Sequence, residues 1–354
     1  HLASRRQRQM CIRDRDHFES IEMRPFAAAS IGQIHRAVMT DGTKVVVKII
    51  KSDFEASFKR DVQRMKRWIR MGLFFNPRLR KVGNPIGLLA HIEDYTLREL
   101  NLLNEIDGRN QLIAQAEAIE HHFPMPKLKF PKVWEHLSNQ HILVMEEITH
   151  PTLEDHLEAG TLTWPDMLDL FRIHGAFMFG IGTFHGDLHP GNAMMDGEGN
   201  FVFIDTGAIC NAPEHVRNAL FGFFYFLARG ELKNAFDAML TMAAVQPTGA
   251  TLQTYYDSMN ELYDGFVGTS VSEVSLTEQM MKTVKAAVLA GCAFGEEAFP
   301  IIRSLMYMDG MVLKGHPSVD LISSMGPYLD EFSVLIDPDR ILESGPAKAR
   351  AQNQ

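Results

Sequence analysis

The chain has 354 residues, of which 45% are hydrophobic, enough to build a sizeable core in one large or two small domains. Its formal net charge of −9 and pI near 5.9 argue against a nucleic-acid-binding surface as its main role. Cys11, Cys210 and Cys292 lie far apart, which excludes a disulfide framework or cysteine metal spacing and favours a reducing compartment.

No segment reaches the ~18 consecutive apolar residues that a membrane-spanning helix needs. The two most apolar runs, Gly175–Phe184 and Ala219–Ala228, are typical of core helices. We therefore expect a cytoplasmic protein, or one that is peripheral to a membrane. We treat residues 1–16 as uninformative, with a non-native origin as one explanation, and because the chain starts at His1 we expect its true beginning to be missing.

A β-hairpin is the first element that the sequence predicts. The segment His35–Met39 and the β-branched run Val45–Ile50 flank an Asp41-Gly42 pair, and Asp-Gly between apolar runs is the strongest short hairpin signal. Lys48 lies in the second run with apolar neighbours on both sides, so an unpaired ammonium group there would be costly. Its position is that of the kinase strand lysine that contacts the α and β phosphates of ATP.

A buried lysine needs a carboxylate partner, and a helix predicted over Tyr95–Glu117 offers two. Glu99 and Glu105 are six residues apart, about 240° around a helix, so both cannot point at Lys48 from one continuous turn. We expect one of them to pair with Lys48 and the other to serve a neighbouring group.

Two further strands are predicted over Pro131–Trp134 and His141–Met145, followed by a short acidic linker and a helix that opens near Thr152. In a two-lobed kinase, the same order of strand, linker and helix connects the lobes, and backbone groups of the linker contact adenine. On that order alone we assign Met145, Glu146 and Ile148 to nucleotide binding.

The segment from His185 to Gly207 indicates phosphoryl-transfer chemistry. It begins with His-Gly-Asp-Leu-His-Pro-Gly-Asn, in which Asp187 and Asn192 have the Asp-x4-Asn spacing of a kinase catalytic loop. Asp205 follows an apolar strand, and the spacing from Asp187 fits a loop, a short hairpin and a second loop. Phosphoryl transfer needs a carboxylate that accepts the nucleophile's proton, and oxygen ligands for the magnesium that bridges the phosphates. We predict Asp187 for the first role, Asn192 and Asp205 for the metal, and ATP and Mg²⁺ as cofactors.

Beyond Cys210 the pattern predicts helices, with Gly and Pro between segments that carry apolar residues at i, i+3 and i+4. The predicted helices are Asn218–Arg229, Leu232–Ala244, Leu252–Val267, Val274–Ala290, Ala298–Leu313 and Ser318–Phe332.

The phosphate-covering loop differs from that of protein kinases. Where those have Gly-x-Gly-x-x-Gly, residues 25–35 are Pro-Phe-Ala-Ala-Ala-Ser-Ile-Gly-Gln-Ile-His, and the alanine Cβ atoms keep the loop further from the phosphates. With Val-Val-Val-Lys, the helix that carries the two glutamates and the catalytic-loop motif, this string resembles the UbiB/AarF-like atypical kinases, from about residue 22 to about residue 332. The resemblance implies nucleotide contacts from Ala27, Ala28, Ala29 and Ser30. It also implies that Glu105 pairs with Lys48 and that Glu99 begins a Glu-x-Asp motif.

The resemblance further implies an α+β, two-lobed protein-kinase-like fold. We expect a small β-rich N-lobe over residues 17–148, a large helical C-lobe over residues 149–342 that carries the catalytic loop, and a polar tail over residues 343–354. The implied function is Mg-dependent ATP binding and hydrolysis in support of isoprenoid-quinone (ubiquinone) lipid metabolism. The implied partners are quinone-precursor lipids or quinone-biosynthesis proteins, with peripheral membrane contact and no nucleic acid.

Three departures from the pattern stand out. The upstream Lys-x-Gly-Gln element is absent, so we expect truncation there; Asn101 replaces the second acid of Glu-x-Asp; and Thr206 replaces the Phe of Asp-Phe-Gly, which weakens any hydrophobic in/out switch. Two alternative functions stay open: a small-molecule phosphotransferase of the aminoglycoside- or choline-kinase type, and a nucleotide-binding pseudokinase scaffold.

Overall fold

The computed structural model describes residues 17–28, 32–50, 54–75, 86, 89–90, 93, 96–97, 100–295 and 299–343. The strands are β1 Phe18–Ile21, β2 Ala27–Ala28, β3 Gly32–Met39, β4 Lys44–Ile50, β5 Leu128–Lys129, β6 Ile142–Glu146, β7 Thr183–His185, β8 Ala193–Met195, β9 Phe201–Phe203, β10 Ile209–Asn211, β11 Ala243–Val245 and β12 Ala293–Phe294. The helices are α1 Phe54–Phe75, α2 Leu103–Ile119, α3 Leu153–Ala159, α4 Trp164–Gly175, α5 Glu214–Leu227, α6 Leu232–Thr241, α7 Ala250–Tyr263, α8 Leu276–Leu289, α9 Phe299–Gly315, α10 Leu321–Phe332 and α11 Pro338–Glu343.

These residues fall into two compact units. The first takes the described residues up to Asn110 together with Phe130–Thr149 and Asp205–Ala208. The second takes Gln111–Lys129, His150–Ile204 and the described residues from Ile209 onwards.

The first unit is built on an antiparallel sheet with the strand order β1-β3-β4-β6, in which β2 also pairs with β3. The hairpin between β3 and β4 is confirmed: Gly42 has a φ of 84° at the turn, and the Asp41 carboxylate accepts a hydrogen bond from the Thr43 N–H. Strand β4 is paired along both edges, so Lys48 lies opposite Ile34 on one side and Leu143 on the other. This central place explains why the run around Lys48 is apolar on both faces.

Two predicted elements of this unit differ from the structure. The segment Pro131–Trp134 is not a strand; only Val133 makes an isolated bridge, to Met145, and a 3₁₀ turn follows at Glu135–Leu137. The helix that carries Glu105 begins at Leu103 rather than at Tyr95, because residues 100–102 leave the helical path and the Leu102 N–H donates to the Gln140 carbonyl.

The second unit is mainly helical, with an aromatic core. Helices α5 and α6 pack together, and Phe223, Phe236 and Tyr263 stack edge to face or tilted with almost no exposed surface. Three small sheets accompany the helices: β7 with β10, β11 with β12, and β5-β9-β8. The predicted hairpin between Asp187 and Asp205 is confirmed as β8 and β9.

The sequence did not predict every element here. The segment Gly175–Phe184, expected to be a core helix, is the end of α4, a π-helical turn over Ala176–Ile181, and β7. Gly175 lies against Phe332, where a Cβ would come within 2.7 Å of the ring. The antiparallel pair of β11 and β12, whose strands are separated in the chain by α7 and α8, interrupts a region that was expected to be helical throughout. Among the described residues, none of the helices combines the length and the hydropathy required to span a bilayer. The expected α+β organisation, with a small β-rich part and a larger helical part, is confirmed.

Candidate active site

Two carboxylates of the first unit contact the ammonium group of Lys48. Its Nζ donates to Glu105 Oε1 at 2.5 Å and to Asp205 Oδ2 at 2.9 Å. The Lys48 and Glu105 side chains are only 11% and 9% exposed, whereas that of Asp205 is 34% exposed. Burial lowers the pKa of Lys48, but the attraction of the two carboxylates outweighs burial and raises this pKa well above its ordinary value. The ammonium group therefore stays charged, with one buried and one partly open carboxylate.

The structure pairs Glu105 with Lys48, and Glu99 lies outside the described residues. Asn101 lies just before α2, where its Oδ1 accepts from the Leu103 N–H and satisfies one of the free N–H groups of the helix start. Asn101, expected to stand for the second acid of Glu-x-Asp, is therefore engaged in starting the helix that carries Glu105.

The Asp-Thr-Gly turn is tied to the glutamate helix. The buried Thr206 hydroxyl donates to the Glu105 carbonyl at 2.7 Å, and the Gly207 N–H donates to Asp205 Oδ1 at 3.3 Å. A Cβ on Gly207 would come within 3.1 Å of Glu105 Cγ, so a larger residue here would push the Glu105 side chain aside by a few tenths of an ångström. Thr206, at the position of the Phe in Asp-Phe-Gly, therefore holds the turn against α2 by a hydrogen bond.

The catalytic-loop motif forms a tight turn in the second unit. The Asp187 N–H donates to His185 Nδ1, and the His189 N–H donates to the Asp187 carbonyl at 2.7 Å. Asn192 Nδ2 donates to the Asp187 carbonyl at 2.9 Å and lies 3.4 Å from Asp187 Oδ2. Leu188 is fully buried between these polar residues and anchors the loop in the core. Asp187 and Asn192 are therefore held together by the loop itself.

Helix α9 supports this loop through hydrogen bonds. The sequence predicted the loop but not its contact with α9. Arg303 Nε and Nη2 donate to the Gly186 carbonyl at 3.1 and 2.8 Å, and Ser304 Oγ lies 3.4 Å from the His185 carbonyl oxygen. His174 on α4 is hydrogen-bonded to Ser304 Oγ at 2.6 Å. Burial, with a smaller effect of His185, lowers the pKa of His174 to about 3, so this imidazole is neutral. Arg303 and Ser304 are neighbours on the predicted helix Ala298–Leu313. The sequence of that helix does not indicate that it packs against the catalytic loop.

The proposed nucleotide-binding residues are only partly described. Ala27 and Ala28 form β2, opposite Ile34 and Gln33, while Ala29 and Ser30 lie outside the described residues.

In the linker, Met145 is buried and Ile148 is half-buried. The Glu146 N–H donates to the Lys132 carbonyl at 2.9 Å, so this group is already engaged. An adenine contact from Glu146 would therefore use its carbonyl oxygen, and the linker assignment stays a prediction.

The residues proposed for the metal fit magnesium by their chemistry. Mg²⁺ prefers oxygen ligands and usually takes one or two carboxylates with substrate phosphates. Asp205 supplies a partly exposed carboxylate, and Asn192, whose amide nitrogen is engaged with Asp187, can offer its amide oxygen. In the part of the chain that the structure describes, no group of three or more His, Cys, Asp or Glu side chains could hold a metal unaided. A shared site of Asn192 and Asp205, completed by nucleotide phosphates, stays a prediction.

Comparison with known proteins identifies the family. An ABC1 atypical kinase-like domain matches residues 7–239, about two thirds of the chain. The probable protein kinases UbiB of Sodalis glossinidius and Pectobacterium carotovorum are each 23% identical over 325 residues, covering 89% and 88% of this chain. An uncharacterised protein of Synechocystis sp. is 24% identical over 335 residues, or 90% of this chain. The matched part is only 56–58% of the length of these three relatives.

A solved structure supports the fold. The Rv3197–erythromycin complex from Mycobacterium tuberculosis superposes with a TM-score of 0.57 at 18% identity, covering 91% of this chain and 78% of that one. At this identity the likeness concerns the fold alone. The matching domain covers well over half of the chain and contains Lys48, Asp187 and Asp205, in agreement with the UbiB/AarF-like resemblance of the sequence. The chain belongs to the ABC1 atypical kinase-like family.

Proposed function

We propose that this protein binds ATP with magnesium and transfers its γ-phosphoryl group to water or to another hydroxyl acceptor. The observation that carries the proposal is the buried Lys48, held by Glu105 and Asp205 on a central strand. A structural ion pair needs one carboxylate. A second, partly exposed carboxylate on the same ammonium group is suited to a lysine that also meets phosphates and to an aspartate that also meets a metal.

The proposed roles combine the contacts within each unit with the motif spacing of the sequence. Lys48 would contact the α and β phosphates, and Glu105 would hold its ammonium group in place. Asn192 and Asp205 would hold the magnesium, which neutralises charge on the phosphates when bound. Asp187, fixed by the turn around it, would orient the acceptor hydroxyl and take its proton.

The activity test is ATP-dependent phosphate release with Mg²⁺, with and without phospholipid and quinone-precursor analogues. Asp187→Asn should reduce turnover by about 100-fold or more, the usual contribution of a positioned general base. The control is Asp257→Asn, which changes an exposed carboxylate on α7 that accepts a hydrogen bond from Gln253. Equal turnover of Asp187→Asn and the parent would contradict the proposal. ATP binding without any turnover would favour a pseudokinase scaffold.

We further propose a role in isoprenoid-quinone metabolism, supported by the relatives named UbiB. Stimulation of turnover by quinone-precursor analogues is the expected result. Efficient phosphorylation of aminoglycosides without any response to lipid would favour the small-molecule phosphotransferase instead.

We also propose peripheral contact with anionic phospholipids through α1. This helix exposes Trp68 at 68%, with Met65 and Met71 at 44% and 45%, and it carries exposed Arg64 and Arg67 beside them. An indole and apolar side chains among arginines suit a helix that lies in the headgroup region of an anionic bilayer.

Vesicle co-sedimentation tests this contact. Phosphatidylglycerol vesicles should bind the parent several-fold better than Trp68→Ala, and salt should weaken the binding. Leu289→Ala removes a similarly exposed apolar side chain, 78% exposed on α8, and should bind as the parent does. Equal binding of both variants would exclude α1 as the contact.

A further inference from the structure

A small cavity lies in the core of the second unit. It is surrounded by α4, the π-helical turn Ala176–Ile181, α8, α9 and α10. Its volume is about 20 Å³, counted as the space open to the centre of a water molecule. A buried water needs about 10–15 Å³ of such space, whereas an engineered cavity that takes benzene has about 150 Å³. The cavity therefore has room for one water-sized molecule and not for an aromatic ring or a lipid chain.

Two polar side chains interrupt the otherwise apolar lining of this cavity. His174 on α4 is 3% exposed, and Asp309 on α9 is 2% exposed. A purely apolar cavity stays dry, but polar groups in the wall favour a bound water when they have hydrogen-bonding capacity to spare. The occupant is therefore decided by the capacity that His174 and Asp309 have left.

The neutral imidazole of His174 has one nitrogen without a partner. Its Nε2 is hydrogen-bonded at 2.6 Å to the hydroxyl of Ser304, which does not line the cavity. Its Nδ1 is buried and has no hydrogen-bond partner among the described residues. The Ser304 hydroxyl donates to the His185 carbonyl, which can only accept, so the Nε2–H donates to Ser304 and Nδ1 carries the lone pair. A buried acceptor that stays unpaired is costly, so Nδ1 needs a donor from the cavity.

The Asp309 carboxylate also has acceptor capacity left. One oxygen accepts from the Leu276 N–H at 3.0 Å and the other from the Thr277 N–H at 2.9 Å, at the start of α8. A carboxylate offers about four lone-pair sites, so about two of them remain. The wall thus presents two acceptors to a space of one water, and a water molecule has two hydrogens to donate.

We infer that the cavity binds one water molecule that donates to His174 Nδ1 and to the Asp309 carboxylate. The water completes a line of hydrogen bonds from the start of α8 to the catalytic loop. The members of the line, in order, are Asp309, the water, His174, Ser304 and the His185 carbonyl. His185 in turn accepts the Asp187 N–H through its ring, so the line ends on the residue that holds the predicted catalytic aspartate.

A high-resolution crystal structure of the parent tests the water directly. A density peak should lie within about 3.2 Å of both His174 Nδ1 and an Asp309 carboxylate oxygen. His174→Phe should lose the peak, because a phenyl ring has no nitrogen, whereas the matched control Ser304→Ala should keep it, because Nδ1 and Asp309 remain. A dry cavity in the parent, a peak out of reach of either group, or a peak retained in His174→Phe would overturn the inference.

Hydrogen exchange tests the link to the loop and needs no activity. The Asp187 and His189 amides, which donate within the loop, should exchange several-fold faster in His174→Phe and in Ser304→Ala, because each variant breaks the line at one member. Leu289→Ala, which changes an exposed side chain at the other end of α8, should match the parent. Parent-like exchange in both line variants would contradict the link. Neither measurement uses ATP turnover, so the inference and the proposed function fail separately.

Discussion

Replacing Lys48 with Met should destabilise the first unit strongly, because it removes the cation that neutralises the buried Glu105 carboxylate. Met keeps the length and the apolar stem of the side chain and removes only the ammonium group. Glu105 is 9% exposed and cannot regain its water, whereas Asp205 is 34% exposed and can. Most of the cost therefore comes from Glu105.

Removing one partner of a buried ion pair costs about 3–5 kcal/mol of unfolding free energy. Since Asp205 is partly solvated, we expect Lys48→Met to lie near the lower end, at about 3 kcal/mol. The double variant Lys48→Met/Glu105→Gln should recover part of this loss, because Gln carries no charge that needs a partner.

The assay is urea denaturation at pH 7 of the parent, both single variants and the double variant. A matched control is Lys59→Met, whose ammonium group lies 2.5 Å from Glu55, the same distance as in the Lys48–Glu105 pair. That surface pair is about half exposed, so its loss should fall within the error of the measurement. The reasoning is refuted if Lys48→Met is no more destabilising than Lys59→Met, or if the double variant recovers nothing.

Three further predictions follow from the contacts around the candidate site. Thr206→Val should cost about 1 kcal/mol of unfolding free energy, since it removes the hydrogen bond to the Glu105 carbonyl and keeps the shape; Thr254→Val, an exposed threonine on α7, is the control in the same urea assay. Gly207→Ala should lower ATP affinity in a titration by displacing Glu105, and unchanged affinity would show that the turn can shift without cost. The pKa of His174 is about 3 in the folded protein and about 6.5 in the unfolded chain. The unfolded chain therefore gains a proton first, so the contribution of His174 to the unfolding free energy is present above pH 6.5 and is lost as pH falls towards 3. This linkage predicts a loss of about 2 kcal/mol between pH 7 and pH 5 that is absent from His174→Gln in denaturation at both pH values.

Local sequence signals predicted the elements that place Lys48. The Asp41-Gly42 turn set the hairpin, and the β-branched run on both sides of Lys48 marked a central strand. These features depend on neighbours within a few residues, so a single sequence contains them. The spacing of Asp187 and Asn192 likewise indicated a loop, although the hydrogen bond from Asn192 to the Asp187 carbonyl was not predicted.

What the sequence did not predict depends on contacts between distant segments. The start of α2 at Leu103 depends on the Leu102 N–H finding the Gln140 carbonyl, 38 residues away, where the periodic leucines alone favoured an earlier start. The choice of Glu105 followed only from the family resemblance, since the geometry of one continuous helix left both glutamates open. Arg303 and Tyr307 contact a loop more than a hundred residues earlier, through the Gly186 carbonyl and the His189 ring, and nothing in their own segment indicates it.

The central claim, that this chain binds Mg·ATP through Lys48 and Asp205, is tested most directly by thermal shift with nucleotide. ATP with Mg²⁺ should raise the Tm of the parent, and ATP with EDTA should raise it much less. Asp205→Asn should keep a folded protein, because this side chain is partly exposed, and should lose the magnesium-dependent part of the shift. Equal magnesium-dependent protection of Asp205→Asn and the parent would contradict the account.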